Sequence, residues 1–132
     1  MSGLILRLRP HEEILINGAV VQNGDRKVNL RIKSSGVSIL RLKDAMRPEE
    51  ATTPERKAYY IAQLAVAGEM DEAEAAAILA GALQQLALLH RGRAEEQMVA
   101  RAAIELDAGR LYSVMRRLRD VIDGEAPLRA AV

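Results

Sequence analysis

The apolar residues of this chain repeat with one period before residue 44 and with another after residue 53, and that change constrains the fold more than any other feature. Residues 4–9 alternate Leu4, Leu6 and Leu8 with Ile5, Arg7 and Arg9, and residues 27–33 set Val28, Leu30 and Ile32 against Lys27, Asn29, Arg31 and Lys33. A period of two belongs to a half-buried strand. Short strands near residues 13–16 and 19–23 flank Asn17-Gly18, and Ser34-Ser35-Gly36 introduces a fifth at residues 37–42. Asn17-Gly18 and Asn23-Gly24 tolerate the positive φ of tight hairpin turns, which places Gly18 and Gly24 in that conformation. Five short strands with tight turns predict a small antiparallel sheet or open barrel.

Residues 44–53 read as a linker, because Pro48, Glu49 and Glu50 interrupt the apolar pattern. Thr53 before Pro54 is a helix start, with a hydroxyl N-cap and a proline where its missing N–H costs nothing. That helix should stop near Gly68. Asp71 with Glu74 caps a second helix to about Leu89, with Ile78, Leu79, Leu83, Leu86 and Leu89 near one stripe. Its Ala73, Ala75, Ala76, Ala77, Ala80, Gly81 and Ala82 leave a low profile, suited to internal packing or to a partner helix. A third helix from about Ala94 presents Met98, Ala102 and Leu106. A fourth runs from Arg110 to Asp123, ended by Gly124 and Pro127. The fold class is therefore α+β: a β module at 1–43, a linker at 44–53 and a bundle of about four helices at 54–132.

A chain of 132 residues with 49% hydrophobic residues can bury a core. The absence of cysteine excludes disulfides and thiolate chemistry. The N-terminal apolar run is cut by Arg7 and Arg9, too short for a secretory signal, and no long uncharged apolar run stands out for membrane insertion. A cytosolic protein is expected.

Charge is uneven. Residues 1–43 hold eight basic residues, Arg7, Arg9, Arg26, Lys27, Arg31, Lys33, Arg41 and Lys43, against the acidic Glu12, Glu13 and Asp25, whereas the remainder holds fifteen acidic and eleven basic residues. Cations on one strand face can neutralise neighbouring phosphates and release counterions, which makes these eight the candidate RNA-binding residues. The same charges could simply keep strand edges soluble. Phe and Trp are absent, and Tyr59, Tyr60 and Tyr112 fall in predicted helices, so the strands offer no platform for base stacking. Any RNA contact there must use Arg, Lys and backbone edges.

Catalytic signatures are missing. His11 and His90 are isolated and read as surface or turn residues, the glycines are scattered, and the Glu12-Glu13 and Glu95-Glu96 pairs are merely adjacent in sequence. Neither a cofactor nor a metal is expected, and the chain is not expected to be an enzyme.

The stretch LRPHEEILINGAVVQNGDRK at 8–27, with ATTP at 51–54, resembles the FlbT family of post-transcriptional regulators of flagellin synthesis. The resemblance rests on Leu8, Arg9, Pro10, Glu13, residues 16–20, the turn at 23–27 and residues 51–54. It implies binding to the 5′ untranslated region of flagellin messenger RNA, with altered translation or decay. It also implies FlaF or flagellin as helical partners of the second half, acting indirectly on the messenger in the alternative reading, and it leaves homo-oligomerisation open. Leu4-Ile5-Leu6, residues 13–16 and Leu40-Arg41 are similar to the carbon storage regulator family, which favours Arg7, Arg9 and Arg41.

Overall fold

A computed structural model describes residues 4–131, with side chains described to Gly124. The chain divides into two compact units, Met1–Ala45 and Met46–Val132.

The first unit contains β1 (Leu4–Leu8), β2 (Glu13–Ile16), β3 (Ala19–Gln22), β4 (Val28–Ile32) and β5 (Ile39–Arg41). All pairings are antiparallel, and they form two small sheets, β1-β4 and β3-β2-β5. The register sets Leu6 opposite Leu30 and Leu8 opposite Val28. Leu6, Leu8 and Ile14 are buried, with Ile16, Leu30, Ile32 and Ile39 packed around them. A side chain that alternates inward on each short strand thus meets the other sheet's inward row.

Asn17 and Gly18 have φ of 50° and 84°, the two successive left-handed residues of a type I′ turn between β2 and β3. Asn17 also fastens the entry to β5, because its N–H donates to the Ser38 carbonyl and its Oδ1 accepts from the Ser38 N–H at 3.0 Å. Gly24 differs from the sequence expectation, since its φ is not positive. There the Asn23 side chain organises the reversal instead, donating to the carbonyls of Arg9 and Arg26, both at 2.8 Å.

Two 3-10 turns follow, Leu42–Asp44 and Pro48–Glu50. In the second unit, the buried Gln63 side chain holds the backbone of Met46 on both sides, accepting from its N–H at 2.8 Å and donating to its carbonyl at 2.9 Å. The helices are α1 (Pro54–Val66), α2 (Glu72–Leu89), α3 (Glu95–Asp107) and α4 (Leu111–Ala131). Thr53 Oγ1 caps α1 through the Arg56 N–H and Asp71 caps α2 through the Glu74 N–H, as the sequence pattern requires. Helix α4 continues beyond the expected stop at Gly124 and Pro127. One interior glycine without positive φ weakens a helix by only about 1 kcal/mol, and a proline can kink rather than end one.

Helices α1 and α3 each pack against both α2 and α4, closing a four-helix ring. Leu79, Leu83 and Leu86 of α2 and Val114, Leu118 and Val121 of α4 are buried in it, each such side chain contributing about 1.5–3 kcal/mol. The α2 stripe is narrower than expected: Ala75 belongs to it, while Ile78 and Leu89 stand 44% and 53% exposed. On α3 Ala102 is buried as expected, joined by Val99, while Met98 and Leu106 are half-buried. A run of uncharged residues at 75–89 also exists after all. Helix α2 has the length and apolar composition to cross a membrane, although only 22% of that window is buried in the bundle.

His90 is not a surface residue. It extends the buried α2 stripe one turn past Leu86, is 2% exposed, and its Nε2 lies 2.8 Å from Glu55 Oε2. Its Nδ1 is 4.0 Å from Glu95 Oε1. The first turns of α1 and α3 thereby meet the C-cap of α2, with each carboxylate at a helix N-terminus and the imidazole at a C-terminus, the placement that helix dipoles favour.

Candidate nucleic-acid interface

The expected cations lie in the first unit in three settings. Residues 27, 29, 31 and 33 share one face of β4 and its flanks by strand alternation, and Ile5, Arg7 and Arg9 share one face of β1. Register joins these faces, because Arg31 lies opposite Ile5 and Asn29 opposite Arg7. Arg7 and Arg31 are therefore diagonal neighbours, at roughly 7–8 Å for such positions. Lys27 and Lys33 flank β4 at the same alternation. All of these cations are exposed.

Arg9 and Arg26 occupy the turns beyond the ends of the two strands. The Asn23 amide bonds both their carbonyls, which brings their backbones together although they are far apart in sequence. Both side chains are exposed, as is that of Lys43 in the 3-10 turn after β5.

Arg41 is engaged differently. Its Nε is 2.6 Å from Glu12 Oε2, its Nη2 donates to Glu12 Oε1 at 2.9 Å, and Nη2 also donates to the Arg7 carbonyl at 2.6 Å. A bidentate guanidinium–carboxylate pair is strong and directional, and here it ties β5 to β1 and to the turn before β2. The second acceptor role of Glu12, from the Arg9 N–H at 2.9 Å, closes that turn. Arg41 thus acts as a fastener behind the exposed cations, with much of its hydrogen-bonding capacity satisfied internally.

The Arg41 hydrogen bonds, followed by the Arg9 N–H, hold the Glu12 carboxyl down at about 2, against an ordinary value of 4.5. A carboxyl with a lowered folded value stabilises the fold fully above its unfolded value, and that contribution is lost as pH falls from about 4.5 through about 2. The Arg9 amide, which donates to Glu12, reports the titration. Its NMR shift should move near pH 2 in the wild type and close to the ordinary carboxylate range in Arg41→Gln. An unchanged midpoint in the variant would show that the pair does not control Glu12.

Glu12 and Asn23 are the site residues that sequence patterns missed. Glu12 meets Arg41 across 29 positions, so no local spacing announces the pair, and Asn23 carries only a turn signal. Among the described residues, no group of three or more His, Cys, Asp or Glu is placed to hold a metal ion.

Comparison with known proteins adds ancestry to this geometry. Residues 4–128 match the family model described as "Flagellar protein FlbT". A probable flagellum biosynthesis repressor protein FlbT of Caulobacter sp. (strain K31) is 51% identical over 57 residues, 43% of this chain and 43% of that one. The flagellum biosynthesis repressor protein FlbT of Caulobacter vibrioides (strain ATCC 19089 / CIP 103742 / CB 15) is 49% identical over 57 residues, 43% of this chain and 40% of that one. These two alignments span less than half of either relative. A probable flagellum biosynthesis repressor protein FlbT of Brucella abortus (strain S19) is 32% identical over 131 residues, covering 98% of this chain and 84% of that one. No solved structure matches.

Proposed function

The chain belongs to the FlbT family, and on that premise we propose that it regulates flagellin synthesis after transcription by binding the 5′ untranslated region of flagellin messenger RNA through its first unit. The relatives' role as flagellum biosynthesis repressors supports a regulatory protein rather than a catalyst. The observation that carries the RNA reading is the exposed set Arg7, Arg9, Arg26, Lys27, Arg31, Lys33 and Lys43 on one small β unit, with Arg41 fastening the strands that present them. Without Phe or Trp, this surface reads phosphates and base edges by charge and hydrogen bonding rather than by stacking. Binding would alter translation or decay by occupying the leader, and it involves no chemical step.

Anisotropy measurements with the purified full chain and labelled flagellin leader RNA test this directly. If about four phosphates of single-stranded RNA are engaged, log affinity should fall against log salt with a slope near −3, from about 0.7 per phosphate. Absence of binding, or a complex insensitive to salt, would overturn the reading. The exposed apolar face of α2 favours a second, protein-binding role for the helical unit.

A further inference from the structure

Helix α2 buries one face in the bundle and leaves the other bare. From residue 75 to residue 89 it carries no charged side chain, and Ile78, Leu88 and Leu89 are 44%, 70% and 53% exposed. Glu74, Gly81 and Leu88 recur every seven residues on the outer side, with Ala77-Ile78 and Gln84-Gln85 between them. This is the spacing of a seam between two helices.

Gly81 narrows the choice. A glycine in mid-helix is less stable than alanine by about 1 kcal/mol, and a Cβ built at Gly81 would meet nothing within 4 Å. Nothing among the described residues therefore requires the methyl to be absent. It matters to a body that approaches the outer face closely, as a second helix does.

The charges at the two ends say which helix. Exposed Glu69, Asp71, Glu72 and Glu74 gather at the start of α2, and exposed Arg91 and Arg93 follow its end. If two copies of α2 lie antiparallel with Gly81 of each at the two-fold axis, the acidic start of one helix comes near Arg91 and Arg93 at the end of the other. The helix dipoles also run in opposition. A parallel arrangement would set acid against acid. One pattern thus satisfies the small central residue and both charged ends, as an isologous interface requires.

We propose that the outer face of α2 is the interface of an antiparallel homodimer of this chain. An 18-residue helix is about 27 Å long, so the seam falls at the small end of specific interfaces, near or below about 1,200 Å². Dimers of this kind form and dissociate with concentration.

Sedimentation equilibrium of the full chain over roughly 1–100 μM, the range of such weak interfaces, should show monomers converting to dimers. Leu88→Glu should weaken the dimer at least tenfold with an unchanged circular-dichroism melt, because the side chain is already exposed. Gly81→Leu should do the same by forcing the helices apart. Arg91→Glu with Arg93→Glu should weaken association, and adding Glu69→Arg and Glu72→Arg should restore it. Because the chain has no cysteine, Gly81→Cys alone should form a disulfide-linked dimer on oxidation, whereas Lys57→Cys on α1 should not. A chain that stays monomeric throughout, or a dimer indifferent to Leu88→Glu and charge reversal, would overturn the proposal. So would Leu88-dependent binding of the monomer to phosphatidylglycerol vesicles or to a helical flagellin segment.

Discussion

Replacing Arg7, Arg9 and Arg31 together by Gln is expected to weaken binding to flagellin leader RNA by on the order of 100-fold, at about 1 kcal/mol for each charged contact. The slope of log affinity against log salt should shrink by about 2, since each lost phosphate removes roughly 0.7. Thermal stability should hardly change, because all three side chains are exposed and none carries the strand register. Arg41→Gln should behave differently. It removes the clamp on Glu12 and on the Arg7 carbonyl, so it should lower both stability and binding. Anisotropy and a thermal melt on the same samples separate the two cases. A triple variant that binds RNA as tightly as the wild type would move the interface off this face.

Glu55→Ala should be the most destabilising single change among the charged residues of the helical unit. Glu55 is 6% exposed and its partner His90 2%, so truncation removes a buried hydrogen bond and leaves the imidazole without that carboxylate, at about 2–4 kcal/mol. For a unit of this size that lowers the melting temperature by roughly 10–20 °C. Glu55→Gln should recover part of the loss, since an amide can still hydrogen-bond the ring. Glu72→Ala, on the exposed start of the neighbouring helix, should change stability by no more than about 0.5 kcal/mol. Equal melts for Glu55→Ala and Glu72→Ala would show that the buried pair contributes nothing.

The elements were legible because their signals are local. Leu4, Leu6 and Leu8 alternate, Thr53-Pro54 and Asp71 with Glu74 are caps, and Asn17-Gly18 is a turn that few other dipeptides could make. Gly24 was misread because a glycine after asparagine signals a turn without saying which group makes the reversal, and here the Asn23 amide does so through Arg9 and Arg26. His90 was misread as isolated because Glu55 lies 35 positions away. Its place four residues beyond Leu86 and seven beyond Leu83, on the buried stripe, was the available clue.

The sequence by itself determined which segments are strands and helices, where they start, and that the cations gather before residue 44, since propensity, periodicity and charge are properties of neighbouring residues. Only the tertiary structure decided that the strands split into two sheets, that Arg41 clasps Glu12 while Arg7 and Arg31 stay exposed on adjoining strands, and that one face of α2 is left bare. Those outcomes depend on which distant residues come within hydrogen-bonding or packing distance. A local pattern fixes the direction of a side chain relative to its own backbone, but not what it will meet there.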